Sequence, residues 1–374
     1  FEDVRKFILN NTHISLFVEH GLDRINMFKG TGYASAPAFY VLDKEHDYKG
    51  DALFFDINNG LQEKDKKHTV LQLFSSYLDG NLKERAYLLP QNKLKAIKSW
   101  PFIYWISDEF REKFGSEDLD STLFIRQGGA TGNNERTLRY FWEVKHSDIS
   151  LNVEIKKPYV FYPKGGPACK WFGNNWIVIG YNIPQIYDFL ISHGNKLPSR
   201  SFYFKEGVTY SSVGTGSTFR YMPQNQVISG AGSGIYPSEK YNDISYYLAF
   251  LNTPFAKYLL GCLNPTVNVT QGDIKRIPFA PPSKKEENVV DFLSLTNVNI
   301  KKELCTYSLI EYNYSHSPIG TSSLPESELT RYYNYENALL TQILLNEAII
   351  NRIVFDVYEL SEHDRQMVLD KEGI

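Results

Sequence analysis

The sequence predicts an α/β (α+β) fold: a mixed, mainly antiparallel sheet region with Gly-rich turns, followed by a helical C-terminal region. Three observations predict it. From about residue 120 to 240, short β-branched and aromatic runs alternate with Gly-rich turns. Near the C-terminus apolar residues recur at helical spacing. The chain has 374 residues, 42% hydrophobic and 22% charged, with 25 Gly and 17 Pro. That is enough apolar material for a sizeable core, and it excludes a disordered or fibrous protein.

In chain order, Val4, Phe7, Ile8 and Leu9 lie on a helix ending near Asn10-Asn11, and residues 14–18 and 38–42 are apolar strands. Gly21, Gly30 and Gly32 supply turns between them. So short a segment cannot bury a core alone. Residues 1–45 therefore read as the end of a larger α/β unit, in keeping with a chain that starts at Phe1. Residues 43–50 read as a connection and residues 56–68 as a charged, exposed turn. Helical signals return at 69–78 and 107–114, where Asp108 and Glu109 suit a helix N-terminus, so 46–120 is expected to be a connecting helical region.

The next expected domain is 121–285. Its strands are placed at 123–126, 140–144, 159–162, 176–179 and 201–204. The turns between and after them are Gly128-Gly129, Gly132-Asn133-Asn134, Gly165-Gly166, Gly173-Asn174-Asn175 and residues 214–216. A helix over 244–263 is interrupted at Thr253-Pro254, the string Ile277-Pro278-Phe279-Ala280-Pro281-Pro282 is a stop, and 283–288 reads as a polar linker. In an acidic helical domain, 286–374, a long helix over about 332–360 places Leu339, Leu340, Ile343, Leu344, Glu347, Ile350, Ile353, Val354 and Val357 at 3.6-residue spacing.

Charge is unevenly distributed. The net −3 of the whole chain hides a basic centre: residues 121–220 hold 12 basic and 6 acidic side chains, whereas 286–374 hold 6 basic and 15 acidic. Cys169, Cys262 and Cys305 form neither a disulfide framework nor a metal knuckle, which fits a reducing, cytoplasmic compartment. No uninterrupted apolar run reaches the roughly 18 residues of a membrane span, so no membrane partner is expected.

The loop Val227-Ile228-Ser229-Gly230-Ala231-Gly232-Ser233-Gly234 imitates a nucleotide-binding turn. Such a turn needs a helix directly after it, and Pro237 prevents one, so a β-turn is the better reading. The eight His do not group with Cys at ligand spacing. No catalytic constellation is legible. What remains is the basic centre, where residues 126–144 and 162–176 interleave Arg and Lys with Asn, Gly and aromatics. Arg and Lys neutralise phosphates or grip guanine, Asn reads adenine, and Gly lets a backbone approach closely. The same segments also fit Gly-rich hairpins with solvated charges, in which Trp142, Trp171 and Trp176 are core residues and Asn serves left-handed turns.

Gly132-Asn133-Asn134 leading into Arg139-Tyr140-Phe141-Trp142-Glu143-Val144, and Lys164-Gly165-Gly166 leading into Lys170-Trp171-Phe172-Gly173-Asn174-Asn175, resemble the C-terminal half of PglX-type adenine-specific DNA methyltransferases of BREX phage-defence systems, relatives of type IIG restriction-modification enzymes. The likeness continues in order through residues 203–210, Leu263-Asn264-Pro265-Thr266 with Gly272-Asp273-Ile274, and Asn346-Glu347 to Asp356-Val357-Tyr358. Residues 246–282, with Leu251-Asn252-Thr253, are also similar to the ends of recognition domains in type I specificity subunits.

The resemblance implies an N-terminal methylase domain that binds S-adenosylmethionine and carries Asn-Pro-Pro-Tyr, with target recognition in the C-terminal half. No Asn-Pro-Pro-Tyr occurs in this sequence. This chain is therefore expected to hold the recognition part without cofactor or catalytic residues, and S-adenosylmethionine is expected only for a methylase domain outside it. Double-stranded DNA is the implied partner, docked in the major groove with the target adenine flipped out, and the acidic region 286–374 is the expected contact for other defence proteins. A non-catalytic DNA-binding or protein-interaction module is the alternative. By residue type, the expected DNA contacts are Arg126, Asn133, Asn134, Arg136, Arg139, Lys164, Lys170, Asn174, Asn175, Lys205 and Arg220.

Overall fold

The computed structural model describes the chain except residues 1, 22–37, 45–49, 59–60, 62, 116, 153–155, 193–196, 213–217, 239–242, 265–267, 319–324 and 374. Gly30, Gly32, Pro265, Thr266 and the turn at 214–216 thus lie outside the described residues. Two units are resolved, Phe1–Gly115 and Ser116–Ile374.

In the first unit, α1 (Glu2–Asn11) buries Ile8 and Leu9 and leads into β1 (His13–Glu19), which pairs antiparallel with β2 (Ala38–Asp43) and parallel with β3 (Ala52–Asp56). Helix α2 (Glu63–Leu78) follows, then β4 (Ala86–Leu89) and α3 (Asp108–Lys113), giving the sheet order β2-β1-β3-β4. Ala52, Leu53, Phe54 and Phe55 are all buried, as in a central strand covered on both faces. Leu9, Phe17, Phe54 and Tyr104 fill one side, and Val18, Leu53, Phe55 and Leu73 of α2 fill the other.

This arrangement corrects two expectations. Residues 46–120 do not form a separate helical connection, because β3 and β4 complete the sheet that β1 begins. Part of the stretch read as an exposed turn is the start of α2, where Lys66 is buried and its Nζ donates to His20 O at 2.9 Å. Buried alkyl stems of charged residues are invisible to a polarity count.

The second unit begins with β5 (Leu123–Arg126), the one-turn helix α4 (Asn134–Thr137) and β6 (Leu138–Tyr140). It continues with β7 (Val160–Phe161), β8 (Ile177–Ile179), α5 (Pro184–Ile191), β9 (Gly207–Tyr210), β10 (Phe219–Met222) and β11 (Gly234–Pro237). Two antiparallel sheets result, ordered β10-β9-β11-β5 and β6-β8-β7. Then come α6 (Ser245–Leu251), α7 (Pro254–Leu263), α8 (Gln271–Lys275), α9 (Lys284–Cys305), α10 (Pro325–Val357) and α11 (Glu362–Glu372). The mixed, mainly antiparallel class with a helical C-terminal region is the one observed.

Thr253 caps α7 with Pro254 in its first turn, so the expected interruption is a clean helix restart. Three local readings change. Residues 141–143 and 200–202 are 3-10 turns rather than strand, the latter followed by Phe204 in a left-handed conformation (φ 59°). Residues 283–288 are no linker: Ser283 caps α9 in a reciprocal pairing with Glu286.

The periodic residues of α10 also divide. Ile343, Ile350 and Val354 are buried, whereas Leu340 and Leu344 are exposed. By length and composition alone, Glu326–Val357 is apolar enough to cross a membrane, and 28% of its most apolar 18-residue stretch is buried. Its buried stripe holds Asn346, whose Nδ2 donates to Asn297 Oδ1 of α9 at 2.8 Å.

Candidate nucleic-acid interface

Within residues 126–144, the stretch 132–136 is exposed and locally bonded. Gly132 turns the chain at φ 65°, and Asn133 caps α4, its Oδ1 accepting from Arg136 N at 3.0 Å. Asn134 Oδ1 accepts from Thr131 Oγ1 at 2.5 Å and also from Lys164 Nζ. Arg136 is exposed with its guanidinium 4.2 Å over the Phe189 ring, and Arg139 Nη1 donates to the carbonyls of Glu135 and Leu138. Asn134, Glu135, Arg139, Tyr140, Glu143 and Lys164 line a cleft of about 560 Å³. Burial pushes the Lys164 ammonium below its usual pKa. Arg126 is half-buried, stacked over Phe124 and Phe202 at 5.2 and 5.0 Å.

Beyond Lys164 the second segment is built differently, with the polar groups of Asn174 and Asn175 bonded within the protein. Asn174 is 7% exposed in a left-handed conformation (φ 61°), and its Nδ2 donates to Pro167 O at 3.0 Å. The backbone N–H groups of Asn174 and Asn175 donate to the two carboxylate oxygens of Glu311 at 2.7 and 3.1 Å. Asn175 Oδ1 accepts from Gln226 Nε2 at 2.9 Å. Trp171 is 1% exposed, and its Nε1 donates to Glu347 Oε1 at 2.7 Å, while Lys170 Nζ pairs with Glu347 Oε2 at 2.9 Å. Trp171 also bridges to Arg220 along the edge strand β10.

Of the expected contacts, Asn134, Arg139 and Lys164 line one cleft, while Asn133 and Arg136 belong to the adjoining turn of α4, with the Arg136 guanidinium on Phe189. Lys205 is exposed over the Phe202 ring, at 5.2 Å. Arg220 and Asn174 need correction as surface readers. Arg220 is 1% exposed, desolvation lowers its pKa, and its Nη1 donates to Ser211 Oγ at 3.3 Å, so its guanidinium is enclosed by protein. Trp171 is core as expected, whereas Trp142 is 50% exposed, which corrects the reading of all three Trp as core.

The Gly-rich loop 227–234 does not fit an adenosylmethionine cradle. A Cβ added at Gly232 falls 2.1 Å from Pro163 O, and one at Gly234 falls 2.5 Å from the Tyr236 hydroxyl oxygen. These glycines serve close packing within the protein, and a strand, not a helix, follows them.

No protein-family model matches the chain. It is 26% identical over 304 residues to the adenine-specific methyltransferase PglX of Lacticaseibacillus casei (strain Zhang), covering 74% of this chain and 24% of that protein. It is 23% identical over 388 residues to the adenine-specific methyltransferase BrxX of Escherichia coli O9:H4 (strain HS), covering 100% of this chain and 30% of BrxX. The chain is a relative of the PglX-type adenine-specific methyltransferases. It spans less than a third of the length of these PglX-type proteins. Among solved structures, the type IIL restriction-modification enzyme MmeI in complex with DNA aligns at 10% identity and TM-score 0.49, over 97% of this chain and 46% of MmeI. The type IIG endonuclease BpuSI aligns at 10% identity and TM-score 0.28, over 96% of this chain and 45% of BpuSI.

The residues quoted for the PglX likeness and for the likeness to type I specificity subunits, Asn252 among the latter, largely hold the fold. Asn252 brackets β10, accepting from Phe219 N at 3.0 Å and donating to Phe219 O at 2.9 Å. Asp273 caps α8 with Thr270 and accepts from Asn264 Nδ2 and Arg276 Nη2. Tyr358 donates to Pro278 O at 2.8 Å. Glu311 was missed as a loop-holding residue because its partners lie 136 and 137 residues away and nothing local marks it. Glu347 was visible as a member of the long helix's periodic face and of a PglX-like block, but not as the partner of Lys170 and Trp171.

Proposed function

We propose that Ser116–Ile374 is the sequence-specific DNA-recognition part of an N6-adenine methyltransferase of a BREX or restriction-modification system. Methyl transfer from S-adenosylmethionine to adenine N6 then belongs to a methylase domain outside this sequence, of which the unit Phe1–Gly115 is the terminal part, and the protein acts on double-stranded DNA in the cytoplasm. The supporting observation is the cleft lined by Asn134, Arg139 and Lys164, with the exposed Asn133 and Arg136 on the adjoining turn of α4. Cations there neutralise phosphates, and amide and guanidinium groups are the side chains that read base edges.

Titrating a short duplex against the chain at increasing salt tests this reading. Binding is expected to weaken steeply with salt, and the combined change Arg136→Ala, Arg139→Ala and Lys164→Ala is expected to reduce the log–log salt slope by about 3 if each cation meets one phosphate. Absence of binding at about 50 mM salt, or an unchanged slope in the triple variant, overturns it.

A second reading has its own observation. Helices α9 and α10 expose Phe292, Leu295, Leu344 and Leu345, with Phe292 69% and Leu344 64% exposed. In an acidic region such a surface suits contact with another protein of the defence system. Co-elution with that system's purified proteins, abolished by Phe292→Ser and Leu344→Ser, tests it.

A further inference from the structure

Tyr140 and Trp142 stand two residues apart where the edge strand β6 passes into a 3-10 turn. Their rings stack with centroids 4.6 Å apart and planes 3° from parallel, although the side chains are 47% and 50% exposed. Phe141 between them is 6% exposed and meets Trp142, His146 and Tyr312 edge-on, which anchors the backbone below the pair. Glu143 Oε2 closes the turn by accepting from Tyr140 N at 2.7 Å. A flat two-ring slab is thus held rigidly at the surface, and Tyr140 also lines the cleft that contains Arg139 and Lys164.

The chemistry of that surface narrows its ligand. An aromatic face stacks on any nucleobase, but bases inside a duplex already have both faces covered by their neighbours. Glu135 and Glu143, which line the same cleft, offer acceptors to an exocyclic amine, so the cleft has partners for a base beside the cations that meet phosphates. We propose that Tyr140 and Trp142 stack against an unpaired nucleobase extruded from duplex DNA, while Arg139 and Lys164 hold the adjoining phosphates. This rests on the DNA-recognition reading above and adds a site for a base outside the helix.

The test compares three probes on the full chain by fluorescence anisotropy: a matched duplex, the same duplex with a single 2-aminopurine bulge, and the bulged strand alone. The bulged duplex is expected to bind about tenfold more tightly than the matched one, the effect of one stacking contact, with 2-aminopurine emission quenched in the complex. Trp142→Ala and Tyr140→Ala are each expected to remove most of that advantage, and Trp142→Ala, whose residue does not line the cleft, is expected to leave matched-duplex affinity and its salt slope unchanged. Trp142→Phe, which keeps a stacking ring, should retain it. Equal affinity of the wild-type chain for both duplexes overturns the proposal. So does an advantage that persists in both alanine variants, unquenched bound 2-aminopurine, or a single strand bound as tightly as the bulge. Matched-duplex binding without a bulge advantage sinks this proposal alone, whereas absence of any duplex binding sinks the recognition reading with it.

Discussion

The tripeptide Gly-Asn-Asn occurs twice in this chain, at 132–134 and 173–175, and the two copies have opposite fates. The first opens a one-turn helix at the surface, with both Asn exposed and bonded to near neighbours and Lys164. In the second, Asn174 is buried, and both Asn backbone N–H groups are gripped by Glu311 from the far end of the chain. Identical residue types in similar basic, aromatic contexts thus make a displayed turn in one place and a clamped core turn in the other. Burial and partner, rather than composition, decide which of two such loops is available to a ligand.

The largest expected effect tests the clamp. Glu311→Ala strands one buried and one part-buried N–H donor and should cost about 3 kcal/mol of stability in chemical denaturation; a loss below about 1 kcal/mol would mean that the second turn is not held this way. Glu347→Ala removes the partner of Lys170 and Trp171 and is expected to cost about 1.5 kcal/mol, with Glu347→Gln intermediate because an amide oxygen still accepts from the indole N–H.

A pH experiment probes the helix leading to Glu311. Burial pushes the Asp291 carboxyl from 3.8 up to about 7, and Asp243 and Glu287 add to the rise. Between about pH 4 and 7 the native state therefore holds a proton that the unfolded chain releases, and stability falls as pH rises through that window. Asp291→Asn is expected to flatten the dependence, so that its melting temperature gains on the wild-type chain at pH 8 and not at pH 4; parallel curves would refute the assignment.

The smallest effect belongs to the displayed turn. Asn133→Ala removes one helix cap and should cost about 1 kcal/mol or less, with Asn133→Asp close to wild type. A cost as large as that of Glu311→Ala would erase the contrast between the two copies.

Much of the second unit was legible locally. The strands at 123–126 and 177–179 and the restart at Thr253-Pro254 came from β-branched runs and Pro placement. The start of α9 was not, because Ser283 and Glu286 read as a polar linker until their reciprocal cap is seen. The exposed surface was legible only in part: Asn133, Arg136 and Lys164 were expected there, whereas Arg220 looked equally eligible and is enclosed. A guanidinium's burial depends on what packs over it, and composition carries no record of that.

By itself the sequence determined the fold class, the basic centre and the kinship with PglX-type methyltransferases, because period, turn chemistry and ordered blocks are written along the chain. Only the tertiary structure decided which Gly-Asn-Asn turn is displayed, that Trp142 stacks on Tyr140 in the open, and that carboxylates from the acidic C-terminal region serve as internal acceptors. Those outcomes depend on pairs of residues more than a hundred positions apart, or on what covers a side chain, and a local reading of residue types contains neither.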